Sequence, residues 1–138
     1  MKAHRQITLS INGQHIEVDR GVRDLILQLN TLPGVQTHFS CQGDPGEEDA
    51  YVRFGGPGAF PLLPLLAQAI LKEEKLWRRK HRHVCWGCRS MSVTLEICGD
   101  GIALRWQPWD YRRVLKIVAG LSKPRRTLHV AQPPRFTT

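Results

Sequence analysis

Apolar and polar residues alternate near the start of the chain, on both sides of an Asn12-Gly13 pair. An apolar residue at every second position is typical of a strand with one covered face. Asn-Gly favours a two-residue hairpin turn, because both turn positions need positive φ. The pattern therefore predicts an antiparallel hairpin over residues 7–18. Its covered face would carry Ile7, Leu9, Ile11, Ile16 and Val18.

Further along, stretches with helical spacing of apolar residues follow stretches that alternate. Besides the first hairpin, the predicted elements are a helix at 22–32, strands at 35–40 and 50–54, a helix at about 60–79, strands at 91–98 and 102–106, and a helix that opens at Pro108. The order ββαββαββα predicts an α+β fold with three helices. Its mostly antiparallel sheet would contain about six strands from three hairpins, with one face covered and the other partly open.

Two further predictions concern the domain and its contacts. Residues 1–122 are expected to form a single α+β domain, and residues 123–138 a basic, proline-containing mobile tail. The helix at 60–79 begins with apolar residues nearly all round. Such a helix either lies inside the core or forms a subunit contact. We expect the second arrangement, a homo-oligomer assembled through residues 60–71.

The excess of basic residues predicts an anionic partner. The chain has 20 Lys and Arg against 12 Asp and Glu, a net charge of +8, and no acid follows Asp110. Basic residues neutralise phosphates, and exposed indoles stack on bases. The leading hypothesis is therefore a non-enzymatic protein that binds nucleic acid, either RNA or single strands, through a basic surface. The candidate residues are Arg78, Arg79, Lys80, Arg82, Trp86, Arg89, Arg112, Arg113 and Lys116.

The open face of the predicted sheet is a second candidate site. Side chains alternate along a strand, so Tyr51 and Arg53 face outward if Val52 and Phe54 face the core. By the same alternation, Phe39 is expected to face inward. An arginine beside an aromatic ring suits bases and phosphates. The alternative function is thus binding or sequestration of a small nucleotide by a protein of phage or mobile-element origin. Its candidate ligand-binding residues are His38, Ser40, Cys41, Gly43, Tyr51, Arg53 and Arg105.

Two of the cysteines form a candidate zinc site. Cys85 and Cys88 have the spacing with which two thiolates hold one zinc ion, and His81 and His83 lie just upstream. A redox pair and two ordinary thiols are the alternatives. The chain shows no secretory segment and no apolar run long enough for a membrane helix. We therefore expect a cytoplasmic protein without a membrane partner, whose cysteines are thiols or metal ligands rather than disulfides.

Residues 25–54 carry the pattern LxxxLNxLPGVxTxxSCxG followed by YVxF. This pattern resembles one in small bacterial and phage proteins. The helix, the PGV turn and the strand that ends in Ser40-Cys41 are also similar to the tRNA methyltransferases of wybutosine synthesis, whose signature includes a Ser-Ser-Cys-Ser-Gly segment. That similarity implies a tRNA-modifying enzyme that uses Cys41, although the corresponding segment here is Phe39-Ser40-Cys41-Gln42-Gly43 and no S-adenosylmethionine motif is present.

Other enzyme signatures are absent from the sequence. It contains no Walker loop, no GxGxxG, no GxSxG and no HExxH. As a nucleophile, Cys41 would need a base such as His38, but residues three apart in a strand point to opposite faces. A buried structural thiol is the expected role of Cys41, and a binding protein is favoured over an enzyme.

Overall fold

The structure is a computed structural model that describes residues 4–80 and 91–122. Several predictions lie outside the described residues. These are the zinc ligands His81, His83, Cys85 and Cys88, the nucleic-acid-binding candidates Arg82, Trp86 and Arg89, and the mobile tail 123–138.

Six strands and three α-helices make up the described chain. In order they are β1 (Gln6–Ile11), β2 (Gln14–Asp19), α1 (Arg23–Thr31), β3 (Gln36–Cys41), β4 (Ala50–Gly55), α2 (Leu63–Lys80), β5 (Thr94–Cys98), β6 (Gly101–Trp106) and α3 (Tyr111–Leu121). A short 3-10 turn precedes each helix, at Arg20–Val22, Phe60–Leu62 and Pro108–Asp110. The α+β class with antiparallel strands is confirmed.

The strands form two sheets rather than one. Strands β1 and β2 make a two-stranded sheet, and the other sheet has the order β3-β4-β6-β5, with every pairing antiparallel. The turn between β1 and β2 has positive φ at both Asn12 and Gly13, as expected for this hairpin. Neither β1 nor β2 pairs with a strand of the four-stranded sheet. The prediction of a single six-stranded sheet is wrong in this respect.

The core lies on one face of the four-stranded sheet. Its largest fully buried side chains include Phe54 and Trp106 from the sheet, and Leu25 and Val114 from α1 and α3. The buried stripes of all three helices join these strand residues in one hydrophobic cluster. From the hairpin, Leu9 and Val18 are buried, and Ile7, Ile11 and Ile16 pack against the cluster while partly exposed. The predicted covered face of this hairpin is confirmed.

Strand β3 contains a bulge that the alternation pattern did not predict. Thr37 pairs with Phe54, but the next paired residue, Phe39, lies opposite Arg53, so His38 is an extra residue. An extra residue reverses the faces of the residues that follow it. Phe39 therefore lies on the same face as Arg53, and Ser40 lies on the same face as the buried Val52. The predictions that Phe39 faces inward and Ser40 outward are both wrong.

Helix α2 is covered along only part of its circumference. Leu66 and Glu73 are its buried residues. Leu71 is 58% exposed, and Phe60 in the preceding turn is 40% exposed. Within the described ranges, no helix has the length and apolar character needed to cross a membrane.

Candidate functional site

The open face of the four-stranded sheet carries two cross-strand rows of side chains. Residues that pair across antiparallel strands share a face. One row is Cys41, Tyr51, Arg105 and Thr94, and the other is Phe39, Arg53, Ala103 and Glu96. These rows combine aromatic rings with two arginines on the side of the sheet opposite Val52 and Phe54.

Arg105 and Tyr51 form a cross-strand pair on this face. The centre of the Arg105 guanidinium lies 5.6 Å from the centroid of the Tyr51 ring, within the range of a cation–π contact. The Glu96 carboxylate lies 4.0 Å from Arg105 Nε, and both side chains are well exposed to solvent. An exposed ion pair at that distance is weak. The Arg105 charge therefore remains accessible to an anionic ligand.

Arg53 on β4 reaches across β6 to the backbone of β5. Its Nη2 donates a hydrogen bond of 3.1 Å to the carbonyl oxygen of Cys98 at the end of β5. Across residues 4–80 and 91–122, no carboxylate lies within 4.0 Å of this guanidinium. Arg53 thus has a fixed orientation and further N–H groups that can bind a phosphate.

Phe39 is the residue that sequence reasoning missed. Its side chain is 63% exposed on β3, an edge strand of the sheet. The adjacent His38 also reaches the open face, because its Nε2 lies 2.9 Å from the position that a Cβ on Gly55 would occupy. Gly55 and Arg53 are two apart in β4 and so project from the same face. Only the bulge brings Phe39 here, and strict alternation gives no signal for it.

The other predicted ligand-binding residues have different surroundings. Ser40 pairs with the buried Val52 and so lies on the covered face; together with His38 and Phe39 it lines a groove of about 180 Å³ between β2 and β3. Gly43 is buried, with a φ of +68°, and a Cβ there would lie 2.6 Å from the Ala50 nitrogen and from the Glu48 oxygen. Glycine is therefore required at this position, where the β3–β4 loop packs against its own backbone. The structure brings His38, Cys41, Tyr51, Arg53 and Arg105 to one face and leaves Ser40 and Gly43 off it.

The predicted basic surface is partly neutralised within the fold. Glu73 on α2 is buried, and its carboxylate lies 3.2 Å from Lys116 Nζ and 3.6 Å from Arg113 Nη1 on α3. Arg113 Nε is also 3.8 Å from the buried Asp110. On the surface of α2, Arg78 pairs with Glu74 at 2.8 Å. The candidates Arg79, Lys80 and Arg112 are exposed.

A cluster of metal-binding residue types lies where the two sheets meet. His4, Asp19 and Cys41 each place a potential ligand atom within 4.8 Å of the others, so this group can hold a metal ion. His4 Nδ1 lies 3.0 Å from Asp19 Oδ2, and His4 Nε2 lies 2.9 Å from Asp44 Oδ1. The sequence indicates Cys41 as a candidate but not His4 or Asp19, because the three residues come from separate elements with no recognisable spacing.

The pKa values of His4 and Cys41 in this cluster are both raised. The hydrogen bond to Asp44 raises the pKa of His4 above its usual range, against the opposing effect of burial. Burial raises the pKa of the Cys41 thiol, and the charges of Asp19 and Glu48 add to that effect. Without a metal, Cys41 is thus a protonated thiol at neutral pH and a poor nucleophile.

No known protein-family model, no curated protein and no solved structure matches this chain. The resemblance of residues 25–54 to small phage proteins and to tRNA methyltransferases therefore stays a prediction. The function of the protein is therefore inferred from its side chains.

Proposed function

We propose that the protein binds single-stranded nucleic acid, with RNA as the first candidate, on the open face of its four-stranded sheet. The observation that carries this proposal is the exposed Phe39 ring beside Arg53, with the Tyr51–Arg105 pair in the adjacent row. An apolar ring on a solvated sheet face contributes nothing to the core, but it provides a surface on which a base can stack.

The spacing of the two rings supports binding of successive nucleotides. Phe39 lies opposite Arg53, and Tyr51 is two residues from Arg53 in the same strand, so the two rings are diagonal neighbours. Diagonal neighbours in an antiparallel pair lie about 7–8 Å apart. One base can then stack on Phe39 and the next can pack against the Tyr51–Arg105 pair, while Arg53 contacts a phosphate.

The exposed basic residues of the helices supply a second, less specific attraction. Arg79, Lys80 and Arg112 are exposed to solvent, and the whole chain carries a net charge of +8. Cations of this kind release counterions when a polyanion binds, which makes affinity depend on salt. Because Arg113 and Lys116 already pair with Glu73, we expect a smaller contribution from α3 than the sequence indicated.

The test compares two exposed apolar residues on opposite faces of the sheet. Phe39→Ala removes the proposed stacking ring, and Ile97→Ala is the control, because Ile97 is 65% exposed and pairs with the buried Ile102. Loss of one base stack costs about 1–3 kcal/mol, which is roughly a 5- to 150-fold loss of affinity. Fluorescence anisotropy with a labelled single-stranded RNA should show this loss for Phe39→Ala only. Equal affinities for both variants and the original protein would contradict the proposal.

A second candidate function, binding of a small nucleotide, is supported by the anchored guanidinium of Arg53. One fixed cation beside aromatic rings is enough to bind a single phosphate group. This function predicts saturable binding of a mononucleotide with weak salt dependence, and loss of binding in Arg53→Gln. An oligonucleotide that binds far more tightly than any mononucleotide, with a steep salt dependence, would favour the first function.

Other expectations from the sequence also stay proposals. The uncovered apolar side chains Phe60 and Leu71 support a homo-oligomer through residues 60–71. Zinc at His81, His83, Cys85 and Cys88 and a cytoplasmic location remain predictions from the sequence.

A further inference from the structure

We propose that His4, Asp19 and Cys41 form a site for a divalent transition-metal ion, most closely matched by zinc. The three residues offer an imidazole nitrogen, a carboxylate oxygen and a sulfur, all within 4.8 Å of one another. This donor set is one that zinc binds in proteins, whereas calcium and magnesium prefer oxygen ligands alone. Its ligands are other residues than the C-x-x-C cysteines, and Cys41 is the cross-strand partner of Tyr51, so the site borders the open face.

The two ring nitrogens of His4 lie beside two different carboxylates. Nε2 is 2.9 Å from Asp44 Oδ1, and Nδ1 is 3.0 Å from Asp19 Oδ2. In the tautomer whose Nε2–H donates to Asp44, the lone pair of Nδ1 is directed toward Asp19. A metal ion bound there would have Nδ1, the Asp19 carboxylate and the Cys41 sulfur as ligands.

The groups around the ligands are those that support a metal site. A histidine ligand usually donates its second N–H to a carboxylate, and Asp44 is that carboxylate here. Asp19 is oriented in turn, because the backbone N–H of Gln42 donates to its Oδ2 at 3.0 Å and Gln6 Nε2 donates to its Oδ1 at 3.4 Å. These contacts orient the His4 and Asp19 side chains before any ion arrives.

The three donor atoms lie within 4.8 Å of one another, a slightly wider span than that of the donors around a bound zinc ion. Zinc bonds of about 2.0–2.3 Å place tetrahedral donors roughly 3.3–3.8 Å apart, so side-chain shifts of about an ångström close the group. The ligands come from three places: His4 precedes β1, Asp19 ends β2 and Cys41 ends β3. A bound ion would therefore tie the hairpin to the four-stranded sheet, and we expect it to raise the melting temperature.

The experiment uses the full chain, freed of metal with a chelator and titrated with Co²⁺ as a spectroscopic probe. The Cys85→Ser, Cys88→Ser double variant serves as the background, so that the C-x-x-C segment cannot contribute thiolates. In this background we expect the thiolate-to-cobalt absorption to saturate at one ion per chain, with displacement by Zn²⁺. Adding Cys41→Ser should abolish the absorption, whereas adding Cys98→Ser, the other described cysteine, should leave it unchanged.

A second substitution avoids any loss of folding from changes to the ligands. Asp44→Asn removes the charge that supports His4, and we expect it to weaken zinc binding by about 10- to 100-fold while circular dichroism stays unchanged. The rise in melting temperature with added zinc should shrink in parallel. Absence of thiolate absorption in the background variant, or absorption that survives Cys41→Ser, would overturn the proposal. Unchanged zinc affinity in Asp44→Asn would exclude the role given to that carboxylate.

Discussion

Arg113 joins two buried carboxylates, and its replacement by methionine tests whether this role is structural. Its guanidinium lies 3.6 Å from Glu73 on α2 and 3.8 Å from Asp110 at the start of α3, and both carboxylate side chains are less than one tenth exposed. Methionine keeps most of the aliphatic bulk and removes the charge. Breaking a buried ion pair from one side costs about 3–5 kcal/mol, because the remaining charge loses its partner.

Two features lower that figure here. Arg113 itself is 22% exposed, and both acids retain other partners: Lys116 beside Glu73, and the backbone N–H and hydroxyl of Ser92 beside Asp110. We therefore expect Arg113→Met to lower the free energy of unfolding by about 2–3 kcal/mol. In a chain of this size the melting temperature should fall by roughly 6–15 °C.

The neighbouring Arg112 provides the matched control, since it is exposed on the same helix. Arg112→Met should change the free energy of unfolding by no more than about 0.5 kcal/mol. Urea denaturation followed by circular dichroism measures both values. If the two variants lose equal stability, or if Arg112→Met loses more, the structural role of Arg113 is refuted. RNA affinity should show the opposite order, with Arg112→Met the weaker binder at low salt.

Two further predictions concern Tyr111 and Gly43. Burial raises the pKa of Tyr111, so its neutral form stabilises the fold fully below about pH 10, and this contribution is lost as the pH rises through the folded-state value. Tyr111→Phe should flatten the decline of melting temperature between pH 9 and 11, and a decline as steep as that of the original protein would contradict the role of Tyr111. The same substitution should cost about 0.5–1.5 kcal/mol of stability at neutral pH, because the Leu25 N–H loses its acceptor. Gly43→Ala and Gly46→Ala both place alanine at positive φ, but only the Cβ at Gly43 meets backbone atoms. Gly43→Ala should therefore be the less stable by at least about 1 kcal/mol in urea titrations, and equal stabilities would show that the loop has room.

The regular elements could be predicted because each rests on local pattern. The Asn12-Gly13 turn and the helical spacing from Val22 to Leu32 specify their structure within a few residues, and the hairpin and α1 appear as expected. The assignment of faces in β3 failed because one inserted residue, His38, reverses the alternation after it. Neither neighbour of His38 is a glycine or a proline that would mark such an insertion.

The sites required contacts that the sequence does not encode locally. His4 and Asp19 lie 15 positions apart, and Asp44 is 40 positions from His4, so no spacing rule brings them together. The basic residues of α3 had the expected helical placement, but their partner Glu73 lies on α2, 43 positions before Lys116. Only tertiary packing distinguishes Arg113, which is engaged inside the fold, from the exposed Arg112.

The hydrogen bond from Arg53 to the carbonyl of Cys98 has a consequence for selectivity. A free arginine side chain gives up about 2 kcal/mol of rotamer entropy when it becomes ordered. In this protein the hydrogen bond to Cys98 already orients the Arg53 guanidinium before a ligand arrives. Ligands whose phosphate fits that position lose little entropy on binding, whereas a misplaced phosphate cannot draw the arginine toward itself without breaking the bond to Cys98. The end of β5, which carries this carbonyl, thereby becomes a determinant of which ligands fit, although it need not contact them.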